Sequence, residues 1–176
     1  MSKNVWVKMT AIVFILLIFV PKGMLYAAEA KDIKSEPAVR IDIPVTLEKA
    51  DVVFNMDHAA FNGDMPVGLR HMHLLVKRFK ETGAKGRIIG IFHGDVGYLT
   101  LNDNAYNAYR NVSSGNPYKE VIAELIKEEV QIEECGVTMK RYKWGNEDLL
   151  PGVKVNSGAL GRLIQLMQQG YVQIHP

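Results

Sequence analysis

Pro117–Lys143 reads PYKEVIAELIKEEVQIEECGVTMKRYK, and the changes of pattern inside it decide the fold. Val121, Ile122, Leu125 and Ile126 recur at the spacing of one helix face, which predicts a helix opening after Pro117 and closing at Lys127-Glu128-Glu129. The run from Val130 to Cys135 then reads as a short strand, and after Gly136 a second helix is expected from Val137 to about Lys143. Helix, strand and helix in direct succession are the makings of βαβ units.

The same alternation extends in both directions. Strands are expected at Val52 to Met56, Arg87 to His93 and Val153 to Val155, with Tyr171 to Ile174 closing the chain. Asp64 is read as the cap of a helix with Pro66 in its first turn, Leu69, Met72, Val76 and Phe79 along one face, and Gly83 at its end. A last helix is read from a Ser157 cap to Gly170, with Leu160, Leu163, Ile164 and Met167 as its core-facing stripe. Strands alternating with helices give an α/β fold built on a mostly parallel sheet. Gly94 to Asn116, rich in Tyr, Asn and Gly, is the weakest region and is expected to hold a short helix around Asn102 to Tyr109.

Residues 1 to 30 stand apart. Lys3 and Lys8 precede the apolar run Met9 to Val20, which Pro21-Lys22-Gly23 interrupts, and this is the layout of a secretory signal peptide. The run is short of the ~20 apolar residues that span a bilayer as a helix, so cleavage is expected after Ala28 or Ala30, with no stable membrane insertion afterwards. The remainder divides into a polar leader at 31–50, with Pro37 and Pro44, and a domain at 51–176. The expected location is periplasmic or secreted.

The full chain has 21 basic and 19 acidic residues, of which three lysines and one glutamate lie in residues 1 to 30, so the mature chain is formally uncharged. That removes the electrostatic footprint of a phosphate-backbone binder, and nucleic acid is not expected as a partner.

In an open parallel sheet the site lies beyond the carboxyl ends of the strands. Those ends carry Asp57-His58, His93-Gly94 and Cys135-Gly136. Cys135 is the only cysteine, so no intrachain disulfide forms. At the start of a helix its sulfur would meet backbone N–H groups that lower a thiol pKa, helped by Lys140, Arg141 and Lys143 and opposed by Glu133 and Glu134, one of which strand alternation turns away. The competing reading is a buried, inert thiol. His58, His93 and Cys135 make a conceivable ligand set, but no closely spaced pair anchors a metal site, and the three ends are not expected to converge. His71 and His73, two apart on a helix, face different sides. Gly94-Asp95-Val96-Gly97 lacks the spacing of a phosphate loop and is read as a turn, and Asn111-Val112-Ser113 is a glycosylation sequon.

Four passages resemble the DsrE/DsrF-like family of sulfur-relay proteins: Val52-Val53-Phe54-Asn55, Ile91-Phe92-His93-Gly94, Glu134-Cys135-Gly136-Val137-Thr138-Met139, and Leu149-Leu150-Pro151-Gly152-Val153. The resemblance covers Asp51 to Pro176. It implies a three-layer α/β/α sandwich around a mainly parallel five-stranded sheet, assembly into homo- or hetero-oligomers, and a cysteine near a strand end that carries a persulfide without a cofactor. Cys135 fills that position. The relatives best understood work in the cytoplasm, some in tRNA thiolation, and an exported, uncharged chain departs from them there.

The reading that follows is an exported sulfur-handling protein. Cys135 would hold sulfane sulfur and His93 would move a proton or orient the donor, with sulfur donor and acceptor proteins or small sulfur compounds as partners of a homo-oligomer, and with no cofactor or metal. The alternatives are a non-catalytic oligomer that binds a small ligand or metal at the strand-end rim, and a structural subunit.

Overall fold

The structure is a computed structural model that describes residues 38–176; the expected signal peptide, with cleavage expected after Ala28 or Ala30, lies outside the described residues. Ala38 to Asp42 has no helix or strand, and the compact unit runs from Ile43 to Pro176. Within that unit the Glu48 to Ala50 segment pairs with Lys85, and Val45 O accepts from the Arg78 guanidinium at 2.7 Å.

The elements follow in the order β1 (Val52–Met56), β2 (Phe61–Asn62), β3 (Met65–Pro66), α1 (Val67–Thr82) and β4 (Ile88–Phe92). A 3₁₀ segment, Gly94–Thr100, then leads to α2 (Asp103–Arg110), α3 (Lys119–Lys127), β5 (Gln131–Cys135) and α4 (Gly136–Tyr142). The chain ends with β6 (Lys154–Asn156), α5 (Ala159–Gln168) and β7 (Val172–Ile174). The five-stranded sheet has the order β6-β5-β4-β1-β7 and every pairing is parallel, as the alternation of strands and helices predicts. All residues of β1 and β4 are buried, because helices cover both faces and neither strand has a water side.

Successive side chains on a strand face opposite ways, so each central strand feeds two cores. On one face Phe54, Phe92 and Ile132 pack with Leu69 and Met72 of α1, Ile122 and Leu125 of α3 and Met139 of α4. On the other, Val53, Ile89, Ile91 and Cys135 meet Ala159, Leu163 and Leu166 of α5. The layers are those of an α/β/α sandwich.

Three local expectations are corrected. Asp64 does not cap α1: the chain makes a small hairpin, β2 with β3, turned at Gly63 (φ 60°), and Pro66 stands at the helix entrance with its fixed φ of −58°. Ser157 does not cap α5, whose first residue Ala159 gives its N–H to Cys135 Sγ. That bond helps set the rotation of α5, so Ala159, Leu163 and Leu166 are buried while Leu160, Ile164 and Met167 stay exposed. The apolar stripe in the sequence is wider than the face the core accepts.

Gly94 to Asn116 is ordered by its polar side chains. Asn102 caps α2 by accepting from Ala105 N–H, and Asn116 donates to both Leu99 O and Leu101 O. Tyr98, Tyr106, Tyr109, Tyr142 and Trp144 form a chain of ring contacts, with the Arg110 guanidinium 4.7 Å from the Tyr98 centroid.

Candidate functional site

β1, β4 and β5 end side by side. Phe92 is paired with Glu134, so His93, one step past β4, and Cys135, the last residue of β5, leave the sheet side by side. Asn55 of β1, His93 and Cys135 all line one pocket of about 480 Å³, whose other walls include Asp57, Gly94, Thr138, Arg141 and Ala159. Leu160 and Val137, both exposed, stand beside its opening.

Cys135 is the residue immediately before α4, at the helix entrance, and the residue is only 4% exposed. Burial pushes the thiol pKa up, but the backbone N–H groups of Thr138, Ala159 and Val137 and the Thr138 hydroxyl all act on the sulfur, and together they hold it below that of an ordinary cysteine. Ala159 N lies 3.3 Å from Sγ, so a second helix start, that of α5, contributes to the same anion site. Thr138 also accepts from Gly94 N–H at 2.9 Å, and its hydroxyl hydrogen is thereby free to point at the sulfur. The cysteine belongs to the core on one side and to the pocket on the other. Of the basic residues expected to assist, all in or just past the last turn of α4, Arg141 lines the pocket and Lys140 and Lys143 do not.

The two glutamates before the cysteine separate as strand alternation requires. Glu133 faces the same side as Cys135, but Arg162 of α5 grips it with Nε and Nη2 at 2.9–3.1 Å, and Gln131 and Asn156 donate to it as well. Glu134 points into the opposite core. It is fully buried, accepts from Thr100 Oγ1 at 2.9 Å through Oε2, and leaves Oε1 without a partner. Desolvation raises its pKa to about 8, against the opposing hydrogen bonds from Thr100 and the Cys135 backbone. A β-carbon on Gly97 would come within 2.7 Å of Glu134 Oε1, so that position has room only for hydrogen.

His93 is half-buried, and its Nε2 lies 2.7 Å from Asn55 Oδ1. An amide oxygen accepts, which places the ring proton on Nε2 and leaves Nδ1 as the lone pair. Burial holds the imidazole below its usual pKa, against the attraction of Asp57.

His58 does not join His93 and Cys135. It is exposed and turns to Asp57, whose Oδ1 lies 2.6 Å from His58 Nδ1 and 2.7 Å from His175 Nε2. Partial burial pushes the Asp57 carboxyl up, and the bonds from His175 and His58 more than reverse this. Sequence reasoning passed over Asn55, Thr138, Ala159 and His175. The available signal was for His175 to follow a strand and for Thr138 to lie one turn into the helix that Cys135 begins.

The chain belongs to the DsrE/DsrF-like family, whose model matches residues 44–176. This is a family of sulfur-relay-type proteins. Among solved structures the chain is similar to MTH1491, a protein of unknown function from Methanobacterium thermoautotrophicum, with 21% identity and a TM-score of 0.53 over 72% of this chain and 99% of that one. It is also similar to the YchN protein of E. coli, with 14% identity and a TM-score of 0.51 at the same coverage. Both likenesses concern the fold. The comparison with curated proteins gives no match.

Proposed function

We propose that the chain is an exported sulfur carrier in which Cys135 holds sulfane sulfur as a persulfide. The observation that carries this reading is the set of N–H and O–H donors around Cys135 Sγ, in a pocket that also contains His93. The thiolate attacks the outer sulfur of a donor R–S–SH; the new S–S bond forms as the old one breaks, and the donor leaves as R–S⁻. With thiosulfate the leaving group is sulfite. Transfer onward repeats the step, with an acceptor thiolate attacking the outer sulfur and Cys135 leaving as thiolate. His93, with Nδ1 unprotonated, takes a proton from an arriving thiol or persulfide or orients it. Donor and acceptor are small sulfur compounds or partner proteins, and a homo-oligomer is the expected assembly.

Intact mass before and after polysulfide or thiosulfate tests the reading. The expected result is a gain of one sulfur atom, reversed by reductant and absent in Cys135→Ser. Unchanged mass in a folded protein with a free thiol overturns it.

A further inference from the structure

We propose that Asp57, His58 and His175 form a binding site for a divalent transition-metal cation of the zinc class, separate from the Cys135 sulfur site. The sheet order creates it. β1 and β7 are adjacent and parallel, with Phe54 paired to Ile174, so the residues that leave their carboxyl ends emerge together. His175 is one step beyond β7, and Asp57 and His58 follow directly on β1. Residues more than a hundred positions apart in the chain thus meet at one corner of the rim.

The donor atoms converge on one point. His58 Nδ1 and His175 Nε2 lie 2.6 Å and 2.7 Å from the same oxygen, Asp57 Oδ1, and their rings meet edge to face at 85° with centroids 4.9 Å apart. Among the described residues this is the group of histidine, cysteine and acidic side chains able to share one ion. Two imidazoles and one carboxylate are borderline ligands of the kind that zinc takes. Metal–ligand bonds of about 2.0–2.2 Å in a tetrahedron place ligand atoms about 3.3 Å apart. The nitrogens therefore need to draw back from the carboxylate by well under an ångström, and both imidazoles are about half exposed and free to do so. Three protein ligands leave a fourth position for water or an exogenous group, and Asp57 also lines the Cys135 pocket, so that position opens beside the sulfur site.

The site does not depend on persulfide chemistry, and the experiment keeps the two apart. The metal-free full chain is titrated with Zn²⁺ against a chromophoric chelator, and with Co²⁺ by absorption spectroscopy. One equivalent is expected to bind, with a cobalt spectrum free of thiolate charge-transfer bands and with Cys135→Ser binding as the wild type does. His58→Ala and His175→Ala should each weaken binding about 100-fold or more. His58 is exposed and its replacement leaves the core intact, which a thermal melt verifies. Absence of binding, binding indifferent to His58→Ala, or loss of zinc in Cys135→Ser with a thiolate band for cobalt overturns the proposal.

Discussion

A cysteine that is 4% exposed would ordinarily be an inert core residue, and what changes its chemistry is the number of donors aimed at the sulfur. Strand alternation and the glycine after Cys135 make a sulfur at a helix entrance legible in the sequence. The Thr138 hydroxyl, polarised by Gly94 N–H, is not legible, because it depends on β4 and β5 ending at the same height. Thr138→Val keeps the shape and removes this donor. The Cys135 pKa should rise toward the unperturbed ~8.5, and alkylation by a small reagent at neutral pH should slow about tenfold, the equivalent of one charge-assisted hydrogen bond. Alkylation rates measured against pH for both proteins give the two midpoints directly. Coincident midpoints would show that the backbone N–H groups suffice without the hydroxyl.

At the scale of elements, periodicity locates all five strands of the main sheet to within a residue or two: β1 and β4 are largely apolar runs, and β5, β6 and β7 follow alternating apolar pairs, Val130 with Ile132, Val153 with Val155 and Val172 with Ile174. It misplaces what depends on partners. The hairpin of β2 and β3 is too short to show a period, and the stripe on α5 contains more apolar positions than the sheet face beneath it can cover. Charge is similarly opaque: Glu133-Glu134 reads as two acids opposing a thiolate, whereas α5 brings Arg162 onto the first and the sheet turns the second away. That pairing yields a prediction for β5 and α5 together. Glu133 is 2% exposed, so Arg162→Ala leaves a nearly buried carboxylate without its cation, and the domain should lose about 3–5 kcal/mol in denaturant unfolding. The thiol pKa should rise as well, since Glu133 faces the side of the sheet that carries Cys135. A loss below about 1 kcal/mol would place the pair among the weak surface bridges.

Over the whole molecule, the sheet separates two chemistries by the thickness of one strand: an anion site on the α5 face and a buried acid on the other. Glu134 has its pKa raised to about 8 from an ordinary 4.5, so the folded state holds that proton more tightly than the unfolded chain does. Its contribution to stability is therefore complete below about pH 4.5 and is lost progressively as the pH rises through about 8. The half-buried His93 acts in the opposite sense, its depressed pKa withdrawing stability as the pH falls, so the wild-type curve alone mixes the two. Glu134→Gln isolates the acid, because the amide mimics the protonated carboxyl, still accepts from Thr100 and does not titrate. Unfolding free energies of the two proteins should agree near pH 5 and diverge steadily above it, with the variant the more stable by a few kcal/mol at pH 9. Parallel curves across that range would mean that Glu134 ionises in the fold at its ordinary pKa, with a partner for Oε1 that keeps the charge.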